Sequence, residues 1–243
     1  MWSIAKKEIR QFFGSLTGLV AIVVFLLLNG LFLFVFPDSS ILDYGYATLD
    51  KFFQLAPWIL LFLVPAVTMR SWADEFKAGT FEILATRPLT ASQLVTGKFL
   101  GAYFIVVIAL LPTILYAFSV QALAVDKGID VGGTIGSYIG LFLLAAVFTA
   151  IGTWCSSLNS NSVIAFLLSA FTCFILYTGF DALSQLPALQ GNADYLLQKI
   201  GIDYHYKSIS RGVIDSRDII YFGSIIAFFL LITNRKIALS QAV

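Results

Sequence analysis

The sequence predicts an all-α integral membrane protein with six transmembrane helices, and three observations carry that prediction. The first is solvent preference: 59% of the 243 residues are hydrophobic and only 12% are charged, against about 25% charged in a typical soluble domain. The second is six apolar runs of spanning length, near 17–36, 52–69, 99–122, 134–155, 162–181 and 218–234. They are continuous rather than alternating, which selects helices over a β-barrel. The third is an uneven placement of Lys and Arg among the connections, which a soluble chain has no reason to show.

Residues 2–13, WSIAKKEIRQFF, open the chain as a short amphipathic helix within an interfacial segment 1–16. Trp2, Ala5, Ile9 and Phe12 fall on one face, and Lys6, Lys7 and Arg10 on the other, the pattern of a helix lying at a membrane surface. The apolar run that follows is too long for a signal-peptide core of about 7–15 residues, and no small-x-small site closes it. It is read as a retained first span.

Each of the six runs holds about 17–24 residues, so at about 1.5 Å rise per residue each crosses a ~30 Å hydrocarbon core. As drawn, none contains a Lys, Arg or Glu in its interior. With the N-terminus inside, nine Lys or Arg residues face inward (Lys6, Lys7, Arg10, Arg70, Lys77, Arg87, Lys98, Arg235 and Lys236) and six face outward, while ten Asp lie outside. This predicts cytoplasmic termini. The outer connections are a short acidic loop from Pro37 to Lys51, a Gly-rich turn from Asp126 to Gly133, and the long segment 183–217. The last is too apolar for a free loop and predicts short outer helices before the last span, which Asp215 or Ser216 would cap. The inner turn Ser156–Ser162 forces spans four and five into a tight hairpin. Pairs of glycines four apart (Gly14 and Gly18, Gly97 and Gly101, and Gly132, Gly136 and Gly140) allow close helix packing or dimerisation.

The longest polar interruption in the first half is Arg70–Gly101, with four of the fifteen Lys and Arg residues. Trp72, Phe76 and Ile83 fit one helical face with Gly79 between them, and Asp74, Glu75, Lys77 and Glu82 surround it. The helix stops near Arg87, because Pro88 disfavours helix before it. Thr90-x-x-Gln93 is a capping box that starts a second helix, continuous with span three. This is the shape of a lever.

Catalytic motifs are missing. His205, the single histidine, reads as an interfacial polar side chain, and Cys155 and Cys173 as buried apolar residues. No metal or cofactor ligand set appears. Gly97-Lys98 is not a phosphate loop: position 92 is Ser instead of Gly, and position 99 is Phe instead of Ser or Thr. The polar groups at membrane depth are Asn29, Tyr103, Tyr116, Thr149, Thr153, Ser169, Thr172 and Tyr177. Of these, Asn29, Thr149, Thr153, Ser169, Thr172 and Tyr177 are the candidate pathway lining, with helix-to-helix bonding as the alternative. Uncharged spans disfavour a carrier driven by its own ion gradient, so any energy must enter from another subunit. Net charge of +1 gives no reason to expect a nucleic-acid partner.

The stretch Asp74-Glu75-Phe76-Lys77-Ala78-Gly79-Thr80-Phe81-Glu82-Ile83-Leu84, then Arg87-Pro88-Leu89-Thr90, then Gly97-Lys98-Phe99-Leu100-Gly101, resembles the pattern of ABC-2 type transporter permeases. The late stretch Ser210–Asp215 through Tyr221-Phe222 is similar as well, and within the family the chain looks most like the gliding-motility-associated permease subunit of Bacteroidetes. The resemblance implies an ABC-2, type V exporter-like transmembrane domain in the bacterial inner (cytoplasmic) membrane. It implies a coupling helix in the first inner loop, seated on a separate ATP-binding subunit that hydrolyses ATP. It also implies a second membrane subunit or a homodimer partner. The interface residues it points to are Trp72, Asp74, Glu75, Phe76, Lys77, Gly79, Thr80, Glu82 and Arg87. Phe76 is bulkier than the family pattern leads one to expect. The expected function is ATP-driven export or gliding motility without catalysis by this chain. The alternatives are a non-transporting membrane scaffold and a secondary carrier.

Overall fold

The computed structural model describes residues 1–36, 40–41, 47–86, 88–124, 128–187, 191 and 194–241. All regular structure among them is helical. Helix α1 (Trp2–Phe13) is the expected amphipathic helix. Ser15 then caps α2 (Leu16–Phe34) by accepting a hydrogen bond from the Gly18 amide. The second span, α3 (Asp50–Thr68), contains Pro57 and Pro65. Neither proline can donate a backbone hydrogen bond, which a membrane helix tolerates when its neighbours pack around the gap.

Span two does not end at residue 69. Met69 keeps helical dihedrals, so α3 runs on through α4 (Arg70–Lys77), and the continuous span-length helix is Asp50–Lys77. Gly79, at φ 64°, then breaks the chain before α5 (Thr80–Ala85). The helix expected from Trp72 to Ile83 is therefore two helices. A left-handed residue cannot be carried inside an α-helix, and glycine adopts that conformation with no steric cost. Trp72 and Phe76 consequently face inward, while Ile83 is 61% exposed on the far side of the break.

The capping box at Thr90 and Gln93 forms as expected and opens α6 (Ala91–Leu110). A 3-10 turn at Leu111–Thr113, where Pro112 removes a donor, links it to α7 (Ile114–Leu123). The helix of span three thus starts well before residue 99 and takes in Lys98, so a buried lysine lies on a helix long and apolar enough to cross a membrane. Asp130 caps α8 (Val131–Ser156), and Asn161 caps α9 (Ser162–Phe174) across the short turn. A π-helical stretch, Ile175–Gly179, carries span five into α10 (Phe180–Ser184). Two short helices follow, α11 (Asp194–Ile200) and α12 (Ile202–Ile209), in the segment read as outer helices. The last span is α13 (Ser216–Gln241). Asp215 caps it, its carboxylate accepting from the Arg217 amide at 2.9 Å.

Among the described residues, six helices are long and apolar enough to cross a membrane. Helix α8 is the hub: 78% of its apolar window is buried, against 22% for α2, span five and α13. It packs on α3, α6, α9, α12 and α13. Its glycines explain the close approaches. A Cβ on Gly136 would stand 2.9 Å from the Gly212 backbone, and one on Gly140 2.8 Å from Ile209 Cγ2. Two glycines of that stripe are therefore spent within the chain, on α12 and the turn after it. His205 is likewise structural: Nδ1 pairs with Asp218 at 2.6 Å and Nε2 lies 2.8 Å from the Lys199 carbonyl, tying α12 to α11 and α13.

Candidate functional site at one end of the bundle

The start of α1, the last turns of α13 and the α4–α5 elbow meet at one end of the molecule. Ile4 of α1, Trp72 of α4, Phe81 of α5, Ala91, Leu94 and Val95 of α6 and Ile237 of α13 form a small apolar cluster apart from the main core. Trp72 is fully buried in it. Phe76 stacks on Trp72 with ring centres 6.3 Å apart and meets Phe81 at 5.0 Å. The size of Phe76 is thereby accounted for, since it fills the inner angle of the elbow.

Three joints fix the root of the elbow. The first is α1 on α6. A Cβ on Gly97 would lie 2.9 Å from Ile4 Cβ, and one on Gly101 2.8 Å from Glu8 Cβ and 3.1 Å from the Ala5 carbonyl. The Gly97-x-x-x-Gly101 pair is thus the seat of the amphipathic helix.

The second joint is a buried charge cluster. Lys98 is 1% exposed, and its Nζ reaches Glu8 at 2.8 Å and Glu75 at 3.0 Å. It donates a further hydrogen bond to the Ser71 carbonyl and sits 4.8 Å from the centre of the Trp72 ring. Glu75 also accepts from Lys7 at 2.9 Å. One lysine on α6 therefore holds α1 and α4 at once. A buried ammonium is costly unless its donors are paired, and here two carboxylates and a carbonyl satisfy it.

The third joint is α4 on the hub. Ser156, the last residue of α8, accepts from the amides of Trp72 at 3.0 Å and Ala73 at 3.3 Å. Its hydroxyl also donates to the Met69 carbonyl at 3.0 Å. One turn earlier, a Cβ on Gly152 would stand 2.1 Å from Thr68 Oγ1, so α3 passes against bare backbone there.

The outward surface of the elbow is its tip: Lys77, Gly79, Thr80, Glu82 and Ile83 are exposed, and Asp74 is half-buried. Of the residues expected at the interface, Trp72 and Glu75 point inward, and Arg87 lies outside the described residues. Lys98, Glu8, Lys7 and Ser156 went unnoticed as site residues. Glu8, the single acid in a basic helix, and Lys98, a cation beside an apolar run, were the available signals. Nothing local marks Ser156.

Most of the expected pathway residues are buried between helices. Asn29, Thr149, Thr153 and Ser169 are fully buried. The Asn29 amide and the hydroxyls of Thr149, Thr153 and Thr172 bond to carbonyls of their own helices, at 2.7–2.9 Å. Such back-bonding satisfies the threonine hydroxyls and the Asn29 N–H in an apolar setting without any substrate, while Asn29 Oδ1 is buried with no partner among the described residues. Tyr177 differs in lining a cleft at the other end of the bundle.

The model of the ABC-2 family transporter proteins matches residues 35–200, from the end of α2 to the end of α11. That is more than half of the chain. The protein belongs to the ABC-2 transporter family. It is therefore a multi-pass membrane protein and a permease component of an ABC transporter. Comparison with curated proteins returns no match.

Proposed function

We propose that this ABC-2 permease receives mechanical work at the α4–α5 tip from a separate ATP-binding subunit that hydrolyses ATP. The observation that carries the reading is the contrast within the elbow. Its root is locked by Lys98, Ser156 and the Trp72 cluster, while its tip presents Lys77, Thr80, Glu82 and an exposed Ile83. A lever needs both a stiff root and an accessible end. Asp74 and Phe76 set the angle of the tip, Gly79 turns it, and Arg87 follows α5 in the same loop.

The tip faces the cytoplasm in this reading, in keeping with the nine Lys and Arg residues that the sequence pattern puts on the inner side. The membrane is then the bacterial inner membrane. The lipid-facing spans α2, α9 and α13 leave room for a homodimer partner or a second membrane subunit. The likeness of the chain to the gliding-motility-associated permeases, within the ABC-2 family, supports a motility complex over export. A scaffold that transports nothing would not need the tip to couple to ATPase turnover.

The test is ATPase activity of the complex purified from its own membrane, with Glu82→Lys and Gly79→Trp in the permease. Both positions are exposed, and nothing lies within 4 Å of a Cβ at Gly79; Glu82→Lys leaves the backbone unstrained, whereas Gly79→Trp strains the left-handed turn, so membrane insertion of both is checked by fractionation and thermal unfolding. Substrate- or force-coupled ATPase activity falls about tenfold in each, the factor carried by 1.4 kcal/mol of lost contact. Unchanged activity in both variants overturns the reading.

A further inference from the structure

At the end of the bundle opposite the elbow, a cleft of about 780 Å³ opens between the start of α3, the π-helical stretch of span five and α12. Charges of both signs line it: Asp50, Asp181 and Asp203 against Lys51, Lys207 and Arg211. Asp203 is 8% exposed and paired with Lys207 at 2.5 Å. Trp58 and Tyr177 form the apolar wall, packed edge to face at 6.0 Å. The π-helical stretch turns Tyr177 and Thr178 toward this space, and such stretches occur often at functional sites.

The cleft does not end at its apolar wall. Trp58 also lines a groove of about 650 Å³ between α2 and α3, bounded by side chains such as Val24, Leu28, Phe32 and Phe62. A smaller space at Lys51, Gln54 and Trp58 bridges the two. The groove runs from Leu16 to Phe32 along α2, which at 1.5 Å per residue is about 24 Å. That exceeds the ~15 Å depth of one bilayer leaflet.

We infer that this track binds a phospholipid with a zwitterionic headgroup, its headgroup in the cleft and an acyl chain in the groove. The groove is long enough to hold an acyl chain over the ~15 Å depth of one leaflet from the Trp58 end. The headgroup phosphate lies toward Lys207 and Arg211, and its ammonium toward Asp50 and Asp181 beside the Trp58 face, which favours a cation. An anionic headgroup would leave the carboxylates facing like charge. A second protein chain on the groove would have to bring matched charges of both signs to the same depth, whereas one zwitterionic lipid supplies both. The site is independent of the elbow and of ATP.

The test is native mass spectrometry of the 243-residue chain in detergent, titrated with dioleoyl phosphatidylethanolamine or dioleoyl phosphatidylglycerol. One phosphatidylethanolamine is retained per chain, about tenfold more tightly than phosphatidylglycerol. Arg211→Glu loses the headgroup preference and Val24→Trp, which fills the groove, loses retention. Phe228→Ala, an exposed position on α13, changes neither, and matching thermal unfolding midpoints show that all variants are folded. Equal retention of the two lipids, or retention untouched by Arg211→Glu and Val24→Trp, overturns the proposal. A lipid-free dimer overturns it too, because a second copy then fills the groove. None of these outcomes bears on ATPase coupling, so this site and the lever stand or fall separately.

Discussion

Lys98→Met tests the charge cluster at the root of the elbow. In the folded protein Lys98 Nζ lies 2.8 Å from Glu8 and 3.0 Å from Glu75, with 1% of its side chain exposed. At an effective dielectric of about 20, each contact is an attraction of about 5–6 kcal/mol, offset largely by the cost of removing the charges from water. Methionine keeps the length and the apolar stem but removes the ammonium. Glu75 then retains only Lys7, whose side chain is 54% exposed and well hydrated. Glu8 is left with a carboxylate 15% exposed and no cation. Breaking a buried pair from one side costs about 3–5 kcal/mol.

For a chain of 150–250 residues each kcal/mol moves the unfolding midpoint by about 2–4 °C, so the expected fall is about 6–20 °C. Thermal unfolding in detergent, followed by tryptophan fluorescence, measures it, and Trp72 beside the ammonium is a direct reporter. The triple variant Glu8→Gln, Glu75→Gln, Lys98→Met distinguishes charge pairing from simple packing. With only the well-hydrated Lys7 left without its carboxylate, it recovers most of the loss. A fall below about 2 °C in the single variant, or a triple variant no better than the single, refutes the assignment of Lys98 as the clamp.

Three further outcomes follow from the packing. Gly101→Val places a side chain within 2.8 Å of Glu8 Cβ and lifts α1. A cysteine at Ala5, fully buried in the native fold, becomes reactive to a water-soluble maleimide only in that background. Gly152→Ala forces a methyl to 2.1 Å from Thr68 Oγ1 and costs about 1–3 kcal/mol by overpacking, read as a lower unfolding midpoint. Gly223→Ala, with nothing within 4 Å, is the neutral control. Cys155 and Cys173 are both buried and free, so the native protein takes up no maleimide at either until denaturant is added.

What was legible in the sequence depended on whether the physics was local. Six apolar runs, the Thr90 capping box and the Asp215 cap all follow from a few neighbouring residues, and each formed. The break at Gly79 was misread because periodicity alone placed Trp72, Phe76 and Ile83 on one face. That periodicity holds only while the backbone stays right-handed, and a glycine flanked by Ala78 and Thr80 permits it to leave. The helix capped at Thr90 runs into span three as read, and what the sequence did not show is the burial of Lys98: hydropathy marks where the apolar run begins and leaves Lys98 just before it, whereas the fold encloses it between α1 and α4. The candidate pathway residues were chosen as polar groups at membrane depth, yet most of their hydrogen bonds close within their own helices. Sequence gives the presence of a hydroxyl but not the direction it turns.

The joints at the root bear on how a push at the tip would travel. Lys98 sits on α6 and holds both α1 and α4, and Ser156 sits on α8 and caps α4 from below. α4 is also the unbroken continuation of α3. Bending α4 alone would therefore strand the charge of Lys98 and two backbone amides in an apolar setting, at a few kcal/mol for each group left unpaired. Moving α3, α4, α6 and α1 as one body keeps the Lys98 contacts, so the load falls on the Ser156 hydrogen bonds that tie α4 to the hub. The softer places lie elsewhere, at the left-handed Gly79 in the tip and at the Pro112 turn in span three. Work delivered to the tip would then rotate the α3–α6 block against the hub helix α8. Its bare-backbone contact at Gly152 allows two helices to slide where side chains would interlock.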